Sequence, residues 1–282
     1  MNYRHAYHAG NFADVLKHAA LVSVLTHLSK KQTPFAVIDT HGGRGLYDLM
    51  GEQAEKTGEA KDGIVRLLHA SELPGVLARY VEIVRNFGDG RYPGSPLIAA
   101  KLLRAKDRLV AIEKHPEDCA ALAAALAPVA HARAILGDGY QVLKRLLPPP
   151  ERRGLTLIDP PYEDTEEFHR AARALIEAHR RFATGIVLFW YPAKEKAALD
   201  AAAGEVLNAG IASLVKVELD VGGSAVTAPE GRGPRLTSAG LLVVNPPFGF
   251  EAEMKLGLPF VVERLAQGKD AGFTFVRLAG DG

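Results

Sequence analysis

The sequence predicts a doubly wound α/β fold built on a mostly parallel sheet, and three observations carry that prediction. From Phe35 onward, short continuous apolar runs alternate with longer stretches of helical periodicity, as parallel strands joined by crossover helices require. Strand after strand ends in a polar or glycine-rich turn that leads into a helix; sheets wound this way bind ligands outside the carboxyl ends of their strands, where the winding reverses. A chain of 282 residues, 48% apolar and 24% charged, suits one large domain carrying an insertion.

The elements follow in order. Asn11 to Lys30 places Val15, Leu16, Ala19, Ala20 and Leu28 at near-helical spacing and forms a leading helix (residues 11–30). Strands are expected at Phe35 to Thr40, Leu109 to Glu113, Ala132 to Leu136, Leu155 to Asp159, Ile186 to Tyr191, Ile211 to Val221, Gly240 to Asn245 and Phe273 to Leu278. Most are unbroken hydrophobic runs, as strands covered on both faces must be. Helix starts are marked by Ser95-Pro96, His115-Pro116 and Thr165-Glu166. Asp39 and Glu113 lie 74 positions apart, whereas a strand-helix-strand unit needs only about 30. The excess is assigned to an insertion at about 51–92, helical at Gly63 to His69 and Gly75 to Asn86 and without a strong strand. The run from Gly222 to Ser238, with four glycines and two prolines, reads as a long loop. The domain prediction is a single unit over 1–282.

Composition excludes several classes. The longest apolar candidate for a membrane span, Cys119 to Ala130, is alanine-dominated and broken by Pro128. No apolar leader follows Tyr3, Arg4, His5 and His8, so no secretory signal is expected. A single cysteine, Cys119, rules out an internal disulfide and a cysteine zinc cage, and fits a reducing cytoplasm. His5 and His8 have an H-x-x-H spacing but no acidic or cysteine partner at ligand distance, so no metal is assigned. The net charge of +1 advertises no global field for nucleic acid. Residues 1–31, however, hold Arg4, Lys17, Lys30 and Lys31 against Asp14 alone.

The chemistry gathers at the strand ends. After the first core strand comes Asp39-Thr40-His41-Gly42-Gly43-Arg44-Gly45, a turn whose glycines let a ligand approach the backbone, although it does not complete G-x-G-x-x-G. Glu113 ends the second and can accept from both hydroxyls of a ribose; its bland alternative is a surface acid beside Lys114. Asp138, between Gly137 and Gly139, can accept from an exocyclic adenine amine, or can simply close a turn. Asp159-Pro160-Pro161-Tyr162 follows the fourth strand. Two prolines remove two N–H donors and leave a rigid, acceptor-only edge suited to an amino group, and Tyr162 offers a ring on which an extruded base can stack.

Taken together, Tyr3-Arg4-His5, His8-Ala9-Gly10-Asn11, Ala13 to His18, Asp39-Thr40-His41-Gly42, Tyr92 to Pro96, Glu113, Gly137-Asp138-Gly139 and Asp159-Pro160-Pro161-Tyr162-Glu163 resemble the bacterial 23S ribosomal RNA adenine-N6 methyltransferases (RlmJ-like) that act on adenine 2030. The resemblance spans nearly the whole chain. It implies a class I S-adenosylmethionine-dependent, Rossmann-like fold with a small helical insertion, in a cytoplasmic monomer acting on naked or partly assembled 23S RNA, with no membrane and no metal. It carries cofactor binding to Lys17, His18, His41, Ser95, Glu113, Asp138, Gly139 and Asp159. It makes Asp159, Pro160 and Tyr162 the catalytic group, and Tyr3, Arg4, His5 and His8 are expected to meet RNA. The turn reads Gly42-Gly43-Arg44-Gly45 where an alanine is common at its second position.

Asn245-Pro246-Pro247-Phe248 matches the same proline pattern. In sheets of this kind the last strand runs antiparallel, so its end falls on the rim opposite the crevice and Asn245 is read as structural. Two other functions remain open at this point: methylation of DNA adenine, since Asp-Pro-Pro-Tyr serves both polymers, and a non-catalytic nucleotide-binding module, which would need Glu113 and Asp138 but not Asp159.

Overall fold

The computed structural model of the protein describes residues 7–51, 57–193, 195–223 and 236–280. Helix α1 (Phe12–Ser29) leads, with Asn11 as its cap: the Asn11 side chain accepts from the Asp14 N–H. Strand β1 (Ala36–Asp39) follows, then β2 (Leu46–Asp48), α2 (Ile64–Leu68), α3 (Val76–Arg85), β3 (Arg91–Pro93), α4 (Ser95–Leu102), β4 (Arg108–Glu113), α5 (Pro116–Leu126), β5 (Ala132–Leu136) and α6 (Gly139–Leu146). The second half holds β6 (Gly154–Ile158), α7 (Glu166–Arg181), β7 (Ile186–Pro192), α8 (Lys196–Asn208), β8 (Leu214–Asp220), β9 (Ser238–Val244), α9 (Phe250–Leu265) and β10 (Gly272–Ala279).

Eight strands form one sheet in the order β10-β8-β9-β7-β6-β1-β4-β5. β1 pairs parallel with both β4 and β6, β6 with β7, and β4 with β5. β9 runs antiparallel to both its neighbours, β7 and β8, and β10 antiparallel to β8. The chain winds outward from β1 through β4 and β5, then returns to β6 and winds the other way. The reversal therefore lies between β1 and β6, and the crevice at their carboxyl ends is the place where such sheets bind ligands.

Every predicted strand exists, with bounds that move by up to three residues. Sequence reading missed the β2–β3 ladder, which pairs Leu46 with Pro93 and Asp48 with Arg91 and so closes the neck of the insertion. Two three-residue strands separated by more than forty residues leave no periodicity to detect. Within the insertion, α2 and α3 occupy the expected stretches and pack with α9, and α3 also packs on α1. Most of the expected 222–238 loop lies outside the described residues. β9 places Asn245 on the rim away from the crevice, where its side chain donates to the carbonyls of Ala183 and Gly185 at 2.8 Å each.

α1 is buried almost all round because the sheet covers one side while α3, α4 and α9 cover the others. It carries charge where it meets the crevice, and its far end is moored by arginines. Arg104 donates to the carbonyls of Ser29, Lys31 and Thr33, and to both carboxylate oxygens of the fully buried Asp107. Asp107 also accepts the Phe35 N–H at the entry to β1. Among the described residues no helix is long and apolar enough to cross a membrane.

Burial pushes the Asp107 carboxyl up, but hydrogen bonds from Arg104 and the backbone outweigh it and hold the group below the usual aspartate range. A depressed acid stabilises the fold above its unfolded-state pKa and loses that contribution as pH falls through the folded one. Asp107→Ala is expected to cost about 2–4 kcal/mol at neutral pH, from an orphaned Phe35 N–H and an unpaired Arg104. In urea titrations the gap between wild type and variant should narrow below about pH 4; a gap independent of pH would remove Asp107 from this role.

Candidate active site

The crevice is organised around one buried ammonium. Lys17, one turn into α1 and 4% exposed at its side chain, reaches Asp14 Oδ1 at 2.8 Å and Asp159 Oδ2 at 2.5 Å. Asp14 is held from its other side by the Gly10 N–H, 2.9 Å from Oδ2. Burial alone would lower the Lys17 pKa; the two carboxylates more than offset it and hold the ammonium well above the ordinary lysine value. Lys17, expected at the cofactor, is in this structure the partner of Asp159. Asp159 is the first residue past β6, 13% exposed at its side chain, and Pro160 and Pro161 behind it contribute no N–H.

β1 supplies the floor. The Asp39 carboxylate is buried and accepts from Ser95 Oγ at 2.7 Å and from the His41 N–H at 3.2 Å. Ser95, at the first turn of α4, thus acts on the strand end through Asp39. Burial raises Asp39 to about 6, the hydroxyl of Ser95 pulling the other way and the charge of Asp159 adding to the rise. His41 is lowered to about 4 by burial, against the pull of Asp159, Glu167 and Asp138, so its imidazole is neutral at neutral pH. Its Nδ1 lies 2.7 Å from Thr40 Oγ1 and its ring packs edge-on against Tyr140 at 5.2 Å.

On the β4 and β5 side, Glu113 is a structural acceptor: the N–H groups of Gly43 and His115 donate to its two oxygens at 2.8 and 2.7 Å. Gly43 takes φ +60° here, which glycine adopts without strain. Asp138 caps α6, accepting from the Tyr140 and Gln141 N–H groups at 3.1 Å, with Lys114 Nζ 3.7 Å from its second oxygen. Gly139 lies so close to β1 that a Cβ would stand 2.1 Å from the Thr40 carbonyl oxygen. These residues form a continuous cradle of backbone, acid and glycine across three strand ends, suited to an amino-acid nucleoside.

One expectation changes. The Tyr162 ring is not an exposed stacking surface: the residue turns to φ +49° after the prolines, is 6% exposed, and donates its hydroxyl to the Trp190 carbonyl at 2.8 Å. Its ring is enclosed by Phe168 and Trp190, at centroid distances of 4.6 and 5.7 Å. His8, expected to meet RNA, pairs with Glu59 of the insertion at 3.0 Å. Tyr3, Arg4 and His5 lie outside the described residues. His18 stands one residue past Lys17 in α1, buried, with Nδ1 2.7 Å from the Tyr92 hydroxyl, which in turn meets that of Tyr80.

Sequence reasoning missed Asp14, Tyr140, Glu167 and Trp190. Asp14 carried a signal, since it lies three residues before Lys17 on a helix that holds no other Asp, Glu, Lys or Arg. The Tyr140 hydroxyl donates to Glu167 Oε1 at 2.6 Å, and Arg170 joins Glu167 to Asp164, pinning the chain beyond Tyr162 to the start of α6. That contact joins residues 27 apart and had no sequence signal. Among the described residues no group of three or more His, Cys, Asp or Glu side chains is arranged to hold a metal.

Asp39 generates a pH prediction. An acid raised in the fold binds its proton more tightly there than in the unfolded chain, so the stability it contributes is complete below about pH 4 and disappears as pH rises through about 6. Asp39→Asn cannot ionise. Thermal melts across that window should show wild type losing up to about 3 kcal/mol relative to the variant; parallel profiles would place the Asp39 proton elsewhere.

Comparison with known proteins bears on the same crevice. The family model described as "Ribosomal RNA large subunit methyltransferase D, RlmJ" matches residues 32–276. "Ribosomal RNA large subunit methyltransferase J" of Escherichia coli (strain K12) is 40% identical over 269 residues, covering 94% of each chain. The protein of the same name in Haemophilus influenzae is 40% identical over 270 residues, again 94% of each. The crystal structure of protein LPL1258 from Legionella pneumophila superposes with a TM-score of 0.86 at 32% identity, over 96% of this chain and 98% of that one. The chain belongs to the RlmJ family of ribosomal RNA large subunit methyltransferases.

Proposed function

We propose that the protein transfers a methyl group from S-adenosylmethionine to N6 of an adenine in 23S ribosomal RNA, adenine 2030 by family resemblance, as a cytoplasmic monomer acting on naked or partly assembled RNA. The observation that carries this reading is the acceptor-only edge at Asp159, held beside a cradle that fits the cofactor. Glu113 and the Gly42–Gly45 turn suit the ribose and methionyl parts, while Asp138 and Gly139 suit the adenine. The sulfonium of the bound cofactor supplies an electrophilic methyl.

The residues of the chain do the remaining work. Asp159 and the Pro160 carbonyl accept the two N6 hydrogens, which favours a lone pair available for attack and aligns the amine in near-attack geometry. Lys17 fixes the Asp159 carboxylate against α1. One N–H bond breaks after transfer, and its proton goes to Asp159 or to water. His41, neutral, fills the space between the Asp138 and Asp159 sides without adding charge. Tyr3, Arg4, His5 and His8 of the basic N-terminal segment are read as RNA contacts.

Two measurements test this function. Asp159→Ala should lower the single-turnover rate on 23S transcript about 30- to 1000-fold, equivalent to roughly 2–4 kcal/mol of transition-state stabilisation, with cofactor affinity nearly unchanged. A near wild-type rate would send the chemistry elsewhere, and faster methylation of DNA than of RNA oligonucleotides would favour the DNA reading. Glu113→Ala should weaken cofactor binding about 10- to 150-fold in calorimetric titration; unchanged affinity would take Glu113 out of the ribose contact.

A further inference from the structure

The cofactor cradle lies over β1, β4 and β5, so an adenine that meets Asp159 through its amine has to enter from the other side of the reversal, over β6 and β7. The parallel register pairs Ile158 with Phe189, which sets Asp159 abreast of Trp190 and directs both side chains to the same face of the sheet. That is the face on which α1 packs: Lys17 Nζ, bound to Asp159, also lies 5.9 Å from the centroid of the Trp190 ring.

Within β7 every residue is buried except Trp190, which is half-buried at the crevice end. Its indole N–H is enclosed without an acceptor, a condition that native folds rarely leave unexplained. From behind, Tyr162 buttresses it, edge-on at 5.7 Å with its hydroxyl on the Trp190 carbonyl. The aromatic expected from the Asp-Pro-Pro-Tyr motif is therefore a support, and the indole stands nearer to solvent.

We propose that Trp190 is the aromatic wall of the target-base pocket, the surface against which the flipped adenine rests while Asp159 holds its amine. This rests on the reading of function above and adds to it the residue that recognises the base. The ring is rigid, being braced by Tyr162 on one side and the Lys17 ammonium on another, so little ordering remains when a base arrives. Stacking on an aromatic face serves any base, which leaves the choice of adenine to the acceptors at Asp159 and Pro160.

Trp190 is the only tryptophan of the chain, so its emission reports on the pocket directly. With the cofactor site filled by S-adenosylhomocysteine, titration of the wild-type protein with adenosine monophosphate should quench the indole saturably. Trp190→Leu should lower kcat/KM for 23S transcript about 5- to 150-fold, the range of one lost base-aromatic stack. Its affinity for S-adenosylmethionine should stay within about twofold, and Trp190→Phe should recover most of the loss. A merely structural role would move cofactor affinity with activity and would not be rescued by a ring. Should the leucine variant fail to fold, the wild-type titration decides. Emission indifferent to the nucleotide, or a folded Trp190→Leu protein as active as wild type, overturns the inference. A wild-type protein that transfers no methyl overturns the reading of function itself, which separates the two failures.

Discussion

A buried ammonium between two carboxylates holds the functional end of this molecule together. Lys17 belongs to α1, Asp14 to the same helix one turn earlier, and Asp159 to the end of β6, so the triad joins the leading helix to the strand beside the sheet reversal. Moving three charges out of water is costly, and such a cluster persists only when each member is matched. Here the Gly10 N–H takes the far oxygen of Asp14, and Asp159 keeps a margin of exposure toward the crevice. The pairing holds the Asp159 carboxylate in place, and it makes removal of any single partner expensive.

The rest of the crevice divides by chemistry along the reversal. On the β1, β4 and β5 side, acids are spent on backbone: Asp39 on His41, Glu113 on Gly43 and His115, Asp138 on α6. They shape a cradle by fixing loops. On the β6 and β7 side, the polar edge of Asp159 to Pro161 faces aromatic groups, Trp190 with Tyr162 behind it. The Tyr140–Glu167–Arg170–Asp164 chain of hydrogen bonds ties the two sides, so a shift in the loop after Asp159 is felt at the start of α6.

Much of this was legible before any coordinates, and what was not has physical reasons. Strands buried on both faces write themselves as apolar runs, and so the strands and the polar turns after the first four could be placed from residue order, whereas the strand order that puts the reversal between β1 and β6 could not. Asn245 was separable from Asp159 because the direction of β9 decides which rim a strand end occupies. The β2–β3 ladder was not legible, being two short strands brought together across the insertion. Tyr162 misled because a motif names a residue type and not its backbone angle: at φ +49° after two prolines the ring swings into the core. Lys17 was singled out, but its pairing with Asp159, 142 positions away, could not be. Trp190 became visible only through the β6–β7 register.

Lys17 and Asp159 stabilise one another across the α1–β6 junction. A double-mutant cycle with Lys17→Met and Asp159→Asn, read as unfolding free energy in urea, tests it most directly. Each single change is expected to cost several kcal/mol and the double change less than their sum, a coupling of about 2–3 kcal/mol. Single effects that simply add, to within about 0.5 kcal/mol, would show that the two charges do not depend on each other and would contradict it.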